Sequence, residues 1–470
     1  MAKATNTRHG SSIDGAALEE FRPTMRGGVI AQDDPGYDEA RTIYNEMIDK
    51  YPALIARCFD AGDVVTALRF ARSAGLDVAI RSGGHSGAGM CLIDGGMTID
   101  LSPMRWVRVD PAARTAQVGG GSQLGDLDHA THAFGLATPA GIMSTTGVGG
   151  LTLGGGHGHL TRKYGLTIDN LVGADVVLAD GSFVKASEKE NEDLFWALRG
   201  GGGNFGVVTS FTYRLHPVDT VGVGITLWPV DQIPEILGWY REFLPQAPED
   251  LTGFFAVLVV PPGPPFPEEI HHQKMGGVVW CYTGDLGGME EAFAPVQKAG
   301  TPAFHFSAPM PYPMLQSLFD PLIPSGLQWY WRGDFFDRIP DEAAEIHREF
   351  ASSNPTALST MHMYVVDGAA HRVGKNDTAF SYRDAVWSAV YGGVDPDPAN
   401  AEKIKEWCVA YQEALHPYSM GGAYVNFMME EGQERVKAAF RDNYEQLAKI
   451  KAKYDPDNVF HVNQNIKPAG

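Results

Sequence analysis

LIARCFDAGDVVTALRFARSAGLDVAIRSGGHSGAG, residues 54–89, decides the fold. Leu54–Phe59 is a short apolar run. Asp63 to Ala74 repeats apolar residues at helical spacing, at Val64, Leu68 and Ala71, and stops at Gly75. Asp77–Arg81 is a second β-rich run. Strand, helix and strand with short links make a parallel pairing unit. It opens into the loop Arg81-Ser-Gly-Gly-His-Ser-Gly-Ala-Gly89, where missing Cβ atoms let the main chain approach a ligand.

Downstream, turn signals separate short strands. Trp106–Val109 and Thr115–Val118 flank Asp110-Pro-Ala-Ala113, and Val176–Ala179 and Phe183–Ala186 flank Asp180-Gly181, a hairpin signal. Glu192–Leu198 reads as a helix leading through a glycine run into the strand Val207–Leu215. Upstream, residues 1–30 read as an irregular leader. Beyond about 219 glycine clusters thin, and aromatics and prolines replace them, as in PPGPPFP (261–267) and QWYWRGDFF (328–336). Pro398 to Leu415 and Glu434 to Lys453 read as helices. We expect one domain over 1–218, with its core at 49–218, a second over 219–425, and a segment 426–470 that returns to the first.

The 470 residues are too many for one ordinary core. Net charge is −20, which disfavours nucleic acid and anionic membrane surfaces as partners. No apolar run approaches the roughly 20 residues that span a bilayer, and MAKATNTRHGSSIDG lacks the apolar core of a secretory signal, so a cytoplasmic protein is expected. The four cysteines lack C-x-x-C spacing and read as reduced thiols.

Gly201-x-Gly203-x-x-Gly206 matches the dinucleotide fingerprint, but a helix precedes it and a strand follows, the reverse of what that mechanism needs. The glycine clusters explain more when taken together. Ser82–Ser86, Gly119–Ser122, Gly147–Gly156 and Gly201–Gly206 supply backbone N–H groups that can surround a pyrophosphate. His85 sits inside one of them. Beside a flavin, a neutral imidazole can add to the ring's C8 methyl, raising the flavin's reduction potential. His157 and His159 alone do not complete a metal site, and His271-His272 would diverge on a strand, so no metal is expected.

RSGGHS (81–86), STTGVGGLTLGGGHG (144–158), YGLTIDNLVGADVVLADG (164–181), LFWALRGGGGNFGVVTSF (194–211) and YDPDNVFHVNQNI (454–466) resemble the berberine-bridge-enzyme-like branch of the vanillyl-alcohol-oxidase flavoproteins. The resemblance implies an α+β fold: a PCMH-type FAD domain formed by both chain ends, and an inserted substrate domain on an antiparallel sheet flanked by helices. It implies FAD attached covalently to His85. A second, cysteinyl link found in many members is excluded here because Met143 occupies that position. Arg81, Ser82, Gly83, Gly84, Ser86, Thr145, Thr146, Gly147, Gly150, Gly155, Gly156, Gly206, Val208, Tyr424, Asn426, Asn463 and Asn465 are the cofactor contacts it implies. Thr146 falls where the family admits oxygen. Tyr424 is implied as catalytic base, Tyr382 as its partner, and Asn426 as the residue that places the site; Phe427 replaces a usual tyrosine. Tyr330, Trp331 and Tyr312 are candidates for a substrate cavity. The expected activity is an oxidase passing hydride from an alcohol, a sugar or secondary metabolite, to flavin N5, with dioxygen returning hydrogen peroxide. A dehydrogenase with another acceptor, an oxidative ring-closing enzyme and a flavin-loaded ligand-sequestering protein are the alternatives. A monomer or homodimer is expected.

Overall fold

The computed structural model describes residues 13–470. Three large sheets and a two-stranded pairing of Leu136–Ala137 with His216–Pro217 organise the described residues. In the first, Leu54–Arg57 and Val78–Arg81 both run parallel to Met97–Asp100, which lies between them, and Val29–Ala31 joins antiparallel outside Leu54–Arg57. The two outer parallel strands therefore do not pair directly, as their sequence proximity suggests. Met97–Asp100 is fully buried but only four residues long, too short to show a period. The helix Ala61–Ser73 is capped by the Asp60 side chain and buries Val64, Ala67, Leu68 and Ala71 against this sheet. Residues 13–30 are not irregular. Helix Gly15–Phe21 and strand Val29–Ala31 form because Phe21 stacks on Phe70 at 4.0 Å between ring centroids. The rest of that stretch, residues 1–12, lies outside the described residues.

The second sheet is antiparallel, in the order Val107–Asp110, Thr115–Gly119, Val207–Arg214, Leu171–Val177, Phe183–Ala186. Both hairpins form where turn residues marked them. Helix Glu192–Leu198 and the later helices pack Leu194, Phe195 and Leu447 onto Phe211 and Tyr213.

The third sheet has seven antiparallel strands, in the order Phe304–Pro311, Thr220–Pro229, Lys274–Tyr282, Leu251–Val259, Thr360–Val365, Trp387–Asp395, Gln328–Phe336. Alternation along each strand sends Phe255, Val257, Met361 and Met363 into a core beneath the helices Ile233–Gln246, Asp341–Ser352 and Ala401–Leu415. The intervening Phe254, Ala256 and Tyr364 face Ile142 and Met143 of the glycine-rich body. That second face becomes a wall of the site.

The long C-terminal helix expected from 434 to 453 is broken into Gln433–Phe440 and Tyr444–Tyr454. Arg441 has φ +45°, and its guanidinium lies 3.7 Å from the Tyr382 ring centre and pairs with Asp384. Buried Lys451 then donates to Asp455 (2.6 Å), the Asn204 carbonyl (2.6 Å) and the Phe460 carbonyl (2.9 Å), tying the tail to the 201–206 loop.

At the seam between the glycine-rich body and the seven-stranded sheet, Asp128 accepts from Gln316 at 3.3 Å. Burial pushes its carboxyl up to about 7. A carboxyl with a raised folded pKa contributes stability below its unfolded value, about 4, and loses it as pH rises through the folded value. Between those limits Asp128→Asn is expected to flatten the pH dependence and to stabilise the protein most above pH 7, as denaturant unfolding across that range would register.

Candidate active site

One long cavity runs among three walls: the loop Ser82–Cys91, the tract from Gly141 to His157, and the face of the seven-stranded sheet opposite its helices. Val462, Asn463 and Gln464 of the tail close one end; Trp329, Trp331, Thr360, His362 and Tyr364 line the other. Among the described residues, no Asp, Glu, Lys or Arg lines the cavity.

The loop is held at its root. Arg81 spends its guanidinium on Asp100, at 3.1 and 2.7 Å, and on the Ala40 carbonyl, so it braces the loop from behind rather than facing the cavity. Ser82 donates to the Gly120 carbonyl at 2.7 Å, and the Gly84 carbonyl accepts from Tyr44 N–H at 3.0 Å. Gly83 and Gly147 cross in contact. A Cβ on Gly83 would sit 2.4 Å from Gly147 N, and one on Gly147 would sit 2.3 Å from Gly83 N. Two glycines are what lets these loops meet.

The His85 ring lies between Nε2···Thr145 Oγ1 at 2.9 Å and Nδ1···Thr146 Oγ1 at 3.4 Å, with Tyr44 stacked on it at 3.9 Å. Burial lowers its pKa to about 4, so the imidazole is neutral at physiological pH. Thr146, Gly147 and Gly150 line the cavity beside it, as do Ser86, Gly206 and Val208. Thr145 reaches His85 from the loop's outer side.

Tyr424 and Asn426 reach the cavity from the short turn Val425–Phe427 and its approach. The Tyr424 hydroxyl accepts from Gly156 N–H (2.9 Å) and Asn426 Nδ2 (2.8 Å) and donates to the Leu151 carbonyl (3.3 Å). Burial raises its pKa, and the two donors oppose that only in part. This phenol clamps the glycine tract to the C-terminal segment. Tyr424→Phe would strand the buried Gly156 N–H, and a loss of about 1–3 kcal/mol in unfolding free energy is expected from denaturant titration. Gly155 lies behind the cavity against the Phe380 ring.

Tyr382 is not brought to the cavity. Its hydroxyl donates to the Ala438 carbonyl at 2.8 Å, and its ring stacks on Phe335 at 4.4 Å. Trp331 lines the cavity, but Tyr330, on the opposite strand face, packs with the helices, and Tyr312 is buried near Asp128. His159 packs near Phe254, and His271 bonds to the Phe266 carbonyl. Sequence reading missed Tyr44, His362 and Tyr364 altogether and took His157 only as a poor metal ligand.

Several buried polar atoms of the cavity lack partners among the described residues: both ring nitrogens of His157, and Oδ1 of Asn463. Buried polar atoms are normally satisfied, so these mark where a polar ligand is due. A glycine-lined, uncharged cleft with apolar Val78, Ile80 and Leu101 at one end suits a large, partly aromatic group.

Comparison with known proteins identifies that group. Residues 52–187 match the family described as an FAD binding domain, and residues 423–467 match that described as berberine and berberine like. An FAD-linked oxidoreductase of Dictyostelium discoideum is 32% identical over 96% of this chain and 97% of its own. The chain belongs to the berberine-bridge-enzyme-like FAD-linked oxidoreductases. (R)-6-hydroxynicotine oxidase of Paenarthrobacter nicotinovorans is 31% identical, covering 95% of this chain and 98% of its own. The crystal structure of 6-hydroxy-D-nicotine oxidase from Arthrobacter nicotinovorans superposes with a TM-score of 0.83 at 29% identity, covering 95% of this chain and 98% of that one.

This berberine-bridge-like protein is therefore an FAD-dependent oxidoreductase with the α+β flavoprotein fold its motifs implied. The cavity is where its residues fit FAD: glycine loops for the pyrophosphate, and orphaned side chains for the polar edges. Met143 lines the cavity with a thioether that offers no thiolate.

Proposed function

We propose that this flavoprotein is an oxidase that takes hydride from the carbinol carbon of a neutral alcohol, with FAD bonded to His85 alone and dioxygen as final acceptor. The observation that carries the reading is the cavity wall: aromatic, deep, and without a charged side chain. Such a wall offers no counter-ion to a cationic or anionic substrate, whose desolvation would go uncompensated. FAD, when bound, supplies a two-electron acceptor that dioxygen can reoxidise to give hydrogen peroxide.

The chain's own residues do the rest. Ser82, Gly83, Gly84, Ser86, Gly147, Gly150, Gly206, Val208 and Asn463 shape the bed for the cofactor. His85, kept neutral by burial, has the lone pair a covalent bond to carbon requires. Thr145 and Thr146 fix the ring's direction, and Thr146 also lines the cavity. Tyr424 and Asn426 hold the glycine tract in place; the engaged Tyr424 hydroxyl leaves proton acceptance to another group.

A peroxide assay in air, run over neutral aromatic alcohols, oligosaccharides and amines, tests the proposal. Peroxide release in step with oxygen uptake from a neutral alcohol is expected. Flavin bleached by an alcohol without peroxide in air would make the protein a dehydrogenase, and turnover of amines alone would overturn the substrate class.

A further inference from the structure

Oxidising an alcohol needs an acceptor for the hydroxyl proton, and no carboxylate or lysine among the described residues lines the cavity. Its titratable side chains can be taken in turn. Tyr44 donates to the Ile323 carbonyl, His85 is held by two threonines, and the Tyr424 hydroxyl has three partners. Burial pushes the Cys91 thiol up, so it stays protonated. His157 has no partner to pass a proton to. His362 and Tyr364 remain. They stand two residues apart on strand Thr360–Val365, so both side chains leave the same face, and both line the cavity. His362 Nδ1 lies 2.8 Å from Tyr364 Oη, the one hydrogen bond of that hydroxyl among the described residues. Phe254 packs 5.0 Å from the His362 ring and 5.1 Å from the Tyr364 ring, and fixes both.

We propose that Tyr364 and His362 are the proton-accepting pair of the oxidation: Tyr364 Oη takes the substrate hydroxyl's proton as its own proton passes to His362 Nδ1. The inference rests on the alcohol-oxidase reading above. The substrate O–H breaks and a new O–H forms on Tyr364; the Tyr364 O–H breaks and an N–H forms on His362. The carbinol C–H leaves as hydride, its two electrons going to FAD, and a carbonyl compound remains. A proton gained at His362 and a hydride gained by the cofactor balance each other, which an uncharged cavity requires. Tyr364 touches the substrate and is the catalytic residue; His362 acts through it and is the positioning residue. Burial raises the Tyr364 phenol, so it relays a proton rather than ionising alone. Burial also lowers His362 to about 4, which keeps its ring neutral, with one nitrogen lone pair free, throughout the neutral range.

The test uses holoenzyme, Tyr364→Phe and His362→Gln. Each is titrated with phenol and with anisole, which lacks the hydroxyl proton, and binding is read from the flavin's visible bands. The wild type is expected to prefer the phenol about 5-fold, and Tyr364→Phe to show no preference. In anaerobic mixing with 4-methoxybenzyl alcohol, Tyr364→Phe is expected to slow flavin bleaching about 10²–10³-fold at unchanged flavin content. His362→Gln is expected to slow it about 10-fold or more and to remove the acidic limb of the pH profile, which is expected near 4 in the wild type. No phenol preference in the wild type, or bleaching in both variants as fast as in the wild type, overturns the pair. A wild type that prefers the phenol but is bleached by no alcohol supports the pair and overturns the oxidase reading instead.

Discussion

His85→Ala is expected to bind FAD without holding it covalently, so that acid precipitation releases all the yellow colour into the supernatant. The reason is local. His85 presents a neutral ring in the cavity wall, positioned by Thr145, Thr146 and the Tyr44 ring. The other groups that would grip the cofactor are main-chain amides and the Asn463 side chain, which alanine leaves alone. Flavin reduction by substrate should also slow, because an unbonded flavin has a lower potential. The rate falls by up to tenfold for each ~1.4 kcal/mol of driving force lost. Acid precipitation followed by absorbance of both fractions, with anaerobic reduction kinetics on the native variant, measures both effects. Covalent flavin persisting in His85→Ala would move the attachment to another residue.

Gly147→Ala is expected to yield a protein that folds poorly and carries little or no flavin. Its Cβ would meet Gly83 N at 2.3 Å, Gly83 Cα at 2.7 Å and Ser82 Oγ at 2.8 Å. Two of these are main-chain atoms that no rotamer can move. The crossing loops would have to part, at a cost of at least about 1–3 kcal/mol, and the parting falls beside His85. Gly150→Ala is the matched control, because nothing lies within 4 Å of a Cβ there. It should keep wild-type stability, so any loss of flavin in that variant reports crowding of the cavity itself. Denaturant unfolding and visible absorbance per chain separate the two cases.

The parts legible in the sequence are those that local chemistry dictates. The helix Ala61–Ser73 and the two hairpins of the second sheet follow from apolar period and turn residues within a dozen positions. His85 stands out because a ring in a glycine loop has few structural uses. Other features depend on distant partners. Met97–Asp100 slips between two strands that look like neighbours, because parallel order is set by a third segment. The break at Arg441 follows from the Tyr382 ring, some sixty residues away. Tyr382 itself, implied as a catalytic partner by the resemblance, is held under the tail by Ala438 and Phe335. His362 and Tyr364 give no local signal: M-H-M-Y is an ordinary alternating strand. Only the register of the seven-stranded sheet, which pairs Phe255 with Met363, turns that face toward the glycine tract. Trp331 and Tyr330 show the same dependence, since adjacent residues on one strand went to opposite sides.

The most direct test of the account is the intact mass of the purified wild-type chain after denaturation, taken with its visible spectrum. A yellow protein whose denatured mass exceeds that of the polypeptide by one FAD, with the extra mass on the proteolytic fragment that contains His85, is the result expected. A colourless protein of bare polypeptide mass, even when riboflavin is supplied during expression, would contradict it.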